Sequence, residues 1–172
     1  MPAKVIGIGG VSRSGKSTFA QKLKLKFKGK VLILSQDEYI NSEDQIPMIQ
    51  DRTDWEHPDS IDFQKLVSEI KLRGHDNDFI LVEGLMAFHN QELRSHYDFT
   101  IMLTISKETF LKRRKKETRW GEEPEWYLAH VWESYLRYGL FEKVDLKIEQ
   151  WSGDVTDSLM SAILSSHPFI KH

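Results

Sequence analysis

The chain has 172 residues, enough for one domain with a core of its own. Its 24 Lys and Arg against 26 Asp and Glu leave a net charge of −2, so no whole-molecule field draws it to nucleic acid or to an anionic membrane. Cysteine is absent, which excludes disulfides, a thiol nucleophile and a Cys-based zinc site, and no apolar stretch nears the roughly 20 residues that span a bilayer. These features predict a single domain over residues 1–172, cytoplasmic, without nucleic-acid or membrane partner. The first strand begins almost at Met1, which leaves no room for a signal peptide.

Lys4 to Gly9 is an apolar run suited to a buried strand. Residues 10 to 17, Gly-Val-Ser-Arg-Ser-Gly-Lys-Ser, then match G-x-x-x-x-G-K-[ST], a phosphate-binding loop. Gly10 and Gly15 let the main chain come close to a ligand. Across Val11, Ser12, Arg13 and Ser14, successive N–H groups point into one concavity, helped by the positive end of the next helix. Lys16 supplies a point charge for β- and γ-phosphates, Ser17 a hydroxyl for Mg²⁺, and Thr18 completes the nucleotide-binding set. Ser17 to Lys28 reads as the helix that this motif requires. Lys22 to Lys28 alternates with period two, like a strand, but on a helix Phe19, Leu23 and Phe27 share one face and the lysines stay solvated.

Val31 to Leu34 reads as a second strand, running into Ser35-Gln36-Asp37-Glu38-Tyr39. Asp37 lies just past the strand end. It either accepts a proton from an attacking hydroxyl and aims it at the γ-phosphorus, or caps a turn. Asn41 to Pro58 reads as a loop. Within Asp54-Trp55-Glu56-His57-Pro58-Asp59, a Trp beside a carboxylate suits a sugar bearing a flat ring; the alternative is a Trp covering the core with Asp59 or Ser60 as a helix cap. Ile61, Phe63, Leu66, Val67 and Ile70 follow helical spacing. Phe79 to Val82 is a third strand, and Glu83 at its end is placed to hold Mg²⁺.

Phe99 to Ile105 is a fourth strand. The basic stretch Lys107 to Arg119 is helical and mostly solvated, with one or two arginines placed to reach a transferring phosphoryl group. Arg119 to Pro124 reads as a second loop of the kind that closes over substrate. Leu128, Val131, Trp132 and Tyr135 follow helical spacing, Val144 to Ile148 is a weaker fifth strand, and Val155, Leu159, Ala162 and Ile163 are helical again. Strand–helix alternation predicts an α/β fold: a parallel sheet of about five strands, helices on both faces, ligands beyond the strands' carboxyl ends.

Together these motifs resemble the phosphoribulokinase/uridine kinase family of P-loop kinases, and within it the nicotinamide riboside kinases most closely. The resemblance runs from Val5 to about Glu142. It rests on the loop from Gly7 to Ser17, on Ser35 to Tyr39, Leu81 to Gly84, Leu103 to Ser106 with Lys112 to Arg114, and on His130-Val-Trp-Glu-Ser-Tyr-Leu-Arg-Tyr138. It implies a P-loop NTPase fold with a short lid at about residues 113–125, and an ATP- and Mg²⁺-dependent kinase acting on a small nucleoside. It makes Asp37 the catalytic carboxylate, Lys16 the phosphate-loop lysine, and Ser17 with Glu83 the Mg²⁺ site. Trp55 falls where riboside kinases stack an aromatic on the base, and Glu56 where the family holds the ribose hydroxyls with Asp. Trp120 is the candidate for a second stacking ring. Arg113, Arg114 and Arg119 lie among the lid arginines, with Arg114 placed as catalytic. The implied acceptor is nicotinamide riboside ahead of uridine or cytidine, and the protein is expected to be a monomer or homodimer. A nucleotide-hydrolysing switch is the rival class, but the GTPase patterns D-x-x-G after the third strand and N-K-x-D do not occur.

Overall fold

The computed structural model describes residues 2–117 and 121–165. In chain order the elements are β1 (Lys4–Gly10), α1 (Lys16–Lys26), β2 (Val31–Ser35), a small hairpin of β3 (Met48–Ile49) and β4 (Arg52–Thr53), α2 (Phe63–Arg73), β5 (Phe79–Gly84), α3 (Gln91–Ser95), β6 (Phe99–Thr104), α4 (Lys107–Lys115), α5 (Glu125–Ser134), β7 (Leu146–Glu149) and α6 (Asp157–Leu164). The main sheet runs β2-β5-β1-β6-β7, every pair parallel. All carboxyl ends therefore open on one edge, and β1 sits at the centre. This is the α/β architecture that the strand–helix alternation predicts.

Side chains alternate across each strand, so one sequence builds two cores. Ile6, Ile8, Leu81, Ile101 and Leu103 face α1 and α6, where Phe19, Ala20, Leu23, Met160 and Ile163 cover them. Val5, Leu34, Ile80 and Val82 face Leu66, Val67 and Ile70 of α2 and Leu93 of α3. A third cluster of Val11, Ile105, Phe110, Tyr127, Val131 and Tyr135 joins α4 and α5 to the end of the phosphate-loop strand. The lysine-rich segment is helical as far as Lys26, with Phe19 and Leu23 buried and Lys22, Lys24 and Lys26 exposed. Burial of one face overrides its period-two pattern.

Four helix starts carry side-chain caps. Asp62, Asn90, Ser106 and Thr156 each accept from the backbone N–H three residues on. The start of α1 has no side-chain cap: it opens from Gly15, whose φ of 96° places it in the left-handed region. Its first N–H groups are thus left free toward the open edge of the sheet.

Some expectations shift. The fifth sheet strand is Leu146–Glu149, not residues 144–148, and Ile61 and Val155 precede their helices. The 41–58 segment is not plain loop: it holds a 3₁₀ turn (Glu43–Gln45) and the β3–β4 pairing, Met48 with Thr53 and Ile49 with Arg52, and runs into a second 3₁₀ turn at Pro58–Ser60. Two-residue strands are too short to leave a periodic signal.

Candidate active site

The carboxyl edge of the sheet opens into a cavity of about 740 Å³. Ser12, Lys16 and Ser17 of the phosphate loop line it, together with Asp37, Glu83 and Arg114 and with Trp55, Glu56 and Tyr127. The register of the sheet explains why these groups meet. Glu83 pairs with Ile8 on one side and Ser35 on the other, so the ends of β1, β2 and β5 come level. Asp37 follows in the 3₁₀ turn Gln36–Glu38. The Gln36 side chain is buried and accepts from the Met86 N–H (2.9 Å), fixing this turn to the chain beyond β5. A Cβ on Gly84 would run into Gln36, so that strand end must be glycine.

Lys16 Nζ donates to the Val11 carbonyl of its own loop (3.1 Å). Burial pulls its pKa below the ordinary lysine value, while Glu83, Asp37 and Glu56 oppose that shift. Ser17 Oγ donates to Glu83 Oε1 (3.1 Å), and Glu83 is only 3% exposed. A hydroxyl and a buried carboxylate side by side suit a small, hard cation that takes its other ligands from phosphate and water. Among the described residues there is no cluster of three or more His, Cys, Asp or Glu that would cage a metal by protein groups alone.

Arg114 is firmly anchored at the end of α4. Its Nε and Nη2 donate to the two oxygens of Glu123 (2.7 and 2.8 Å), and its Nη1 donates to Ser12 Oγ (2.6 Å). Burial works against its charge, but the pairing with Glu123 outweighs it and raises the pKa. Arg113 is placed differently: its Nη1 donates to the Arg13 carbonyl (2.9 Å), and it is not on the cavity wall. Arg13 pairs with Glu117 (2.9 Å). Helix α4 and its end therefore clasp the phosphate loop from outside. Arg119 and Trp120, with the middle of the 113–125 lid, lie outside the described residues.

Trp55, also on the cavity wall, is 42% exposed, a broad ring face left open. The Glu56 carboxylate makes no hydrogen bond with a described residue. Burial pushes its pKa up to about 7, against the pull of Arg114 and with a further push from Asp54. Tyr127 lines the same wall, and the Arg52 guanidinium lies 5.0 Å from its ring centroid. Of the cavity-lining groups, Ser12, Lys16, Ser17, Asp37, Trp55, Glu56, Glu83 and Arg114 are sequence-predicted and are brought together. Gly10, Val11, Ser14, Gly15 and Thr18 shape the loop and the first turn of α1 around them. Glu123, Tyr127 and Arg52 were not legible in the sequence. Glu123 lies nine positions from Arg114, a separation that no helical or strand spacing signals.

No protein-family model matches the chain. Relatives are nevertheless clear. Nicotinamide riboside kinase 2 of Mus musculus is 27% identical over 154 residues, 78% of this chain and 78% of its own. A uridine kinase of Chlamydia pneumoniae is 31% identical over 142 residues, 67% of this chain and 64% of its own. Among solved structures, a possible uridine kinase from Bacillus stearothermophilus shares the fold with a TM-score of 0.56 at 18% identity, over 86% of this chain and 89% of that one. The relatives of this chain are thus nicotinamide riboside kinases and uridine kinase, its fold is that of the P-loop kinases, and its chemistry is that of a phosphotransferase acting on a hydroxyl group.

Proposed function

We propose that this phosphotransferase moves the γ-phosphoryl group of ATP to the 5′-hydroxyl of a ribonucleoside, with nicotinamide riboside as the acceptor. The observation that carries the reading is one cavity in which the phosphate loop and Asp37 share walls with an open indole face and a half-buried carboxylate, Glu56, that makes no hydrogen bond with a described residue. A carboxylate partly withdrawn from water gains from donors, which ligand hydroxyls can supply.

In this reading the loop N–H groups and Lys16 hold the β- and γ-phosphates. Mg²⁺, held by Ser17 and Glu83, would neutralise charge on the phosphate oxygens. Trp55 stacks on the base and Glu56 accepts from the ribose hydroxyls. Asp37 takes the 5′-hydroxyl proton as that oxygen bonds to the γ-phosphorus and the bond to the bridging oxygen breaks, giving a 5′-monophosphate and ADP. Arg114, locked by Glu123 and Ser12, stabilises charge on the transferring group without having to reorganise.

Charge favours a cationic base. Among the described residues, five carboxylates line the cavity (Asp37, Asp51, Glu56, Glu83, Glu123) against three cations (Lys16, Arg52, Arg114). The pyridinium of nicotinamide riboside complements that surplus; a neutral pyrimidine does not. Uridine or cytidine is the second reading, favoured by the 31% identity to a uridine kinase. ADP release with Mg-ATP, measured with no acceptor, nicotinamide riboside, uridine, cytidine and adenosine, separates the readings. Stimulation by nicotinamide riboside above the others is expected. Equal release with and without acceptors would make the protein an ATPase or switch instead.

A further inference from the structure

We propose that Asp54 and His130 form a positioning pair that sets Glu56 for the acceptor sugar; this rests on the reading of Glu56 as the hydroxyl-binding carboxylate. Asp54 is only 8% exposed. A single oxygen, Oδ1, lies 2.7 Å from His130 Nε2 and also accepts from the Glu56 backbone N–H at 3.1 Å. Facing a carboxylate at that distance, Nε2 must carry a proton. The contact spans 76 positions and joins the acceptor turn to α5.

The turn is wound around Asp54. Its own N–H donates to the Pro47 carbonyl (2.8 Å) and its carbonyl accepts from the His57 N–H (3.1 Å). Glu56 emerges from that turn into the cavity, where no described residue holds its carboxylate. Its aim is therefore set from behind, by the backbone that Asp54 brackets. The hairpin before it has two residues per strand, too little to hold the turn alone. One turn before His130 on the same face of α5 stands Tyr127, which lines the cavity beside Glu56. The pair thus registers the acceptor carboxylate against the helix that follows Glu123, the partner of Arg114. Truncating His130 leaves a buried carboxylate short of its strongest donor and frees the turn.

The test is steady-state kinetics with Mg-ATP and the preferred ribonucleoside on the wild type, His130→Ala, His130→Gln, Glu56→Ala and the His130→Ala/Glu56→Ala double variant. His130→Ala is expected to raise the acceptor KM about tenfold with ATP KM within about twofold, and His130→Gln, which keeps an amide donor, to restore most of the loss. In the Glu56→Ala background the same change should cost less than about twofold, because there is nothing left to aim. If His130→Ala does not fold, His130→Asn, whose shorter amide cannot span the gap, takes its place in the cycle. An equal effect in both backgrounds, or an equal rise in the ATP KM, makes the pair a structural strut and overturns the proposal while the kinase reading stands. A wild type inactive on every ribonucleoside removes that reading and this inference together.

Discussion

The two ends of the cavity are built in different ways. The phosphate end grows from adjacent parallel strands: Glu83 is locked between Ile8 and Ser35, Gln36 holds the turn that presents Asp37, and α1 starts from Gly15 without a side-chain cap. The acceptor end stands on a hairpin of two-residue strands, with a half-exposed Trp55 and a Glu56 steadied through its backbone by the side chains of Asp54 and Ser60. Sheet edges fix atoms more tightly than loops do. Chemistry common to many acceptors belongs on the first, and choice among acceptors on the second. Relatives that carry different acceptors in their names fit that division.

Substitutions at the two ends should therefore fail differently. The largest loss is expected from Lys16→Ala, about 10³-fold or more in kcat/KM for ATP whichever acceptor is used. Initial-rate kinetics with two acceptors check it; a loss that depends on the acceptor would blur the boundary between the ends. Asp37→Asn should lower kcat by about 10²–10⁴-fold with ATP KM within about threefold, because in the proposed reaction the carboxylate handles the acceptor hydroxyl and not the nucleotide. Equal loss of turnover and of ATP affinity, read by titration and turnover together, would take Asp37 out of that role. Trp55→Ala should raise the acceptor KM about tenfold and leave ATP binding alone, since stacking on one ring is worth about 1–3 kcal/mol.

The smallest effect is on stability, through Glu56. Its folded pKa of about 7 lies above the ordinary 4.5. The folded state thus keeps a proton that the unfolded chain has released, and stability falls as pH rises from 4.5 toward 7. Glu56→Gln removes that penalty: it should stabilise the protein by about 1–2 kcal/mol at pH 8 and by nothing below pH 4.5, as denaturant melts at both pH values will show. Acceptor KM should fall as pH rises through about 7, where Glu56 ionises, and the Gln variant should lose this dependence.

The sequence made the phosphate end legible because its chemistry is written in contiguous residues. Gly10 to Ser17 is a motif, and Asp37 and Glu83 each follow a run of apolar residues that announces a buried strand. The acceptor end was legible only at Trp55 and Glu56, which sit side by side. What supports them is dispersed: Arg52 on Tyr127, Glu123 on Arg114, Asp54 on His130. Each contact joins residues from different elements, so no local period or spacing encodes it. His130 stood inside a segment that was already distinctive, yet its role depends on a turn 76 positions away. Arg119 and Trp120 fall outside the described residues, and their expected parts in the lid stay as proposals.

The most direct test of the account is to identify the product. Purified protein with Mg-ATP and nicotinamide riboside, followed by phosphorus NMR, should yield one 5′-monophosphate per ADP, with Asp37→Asn yielding almost none. ADP and free phosphate appearing without a phosphorylated nucleoside would contradict it.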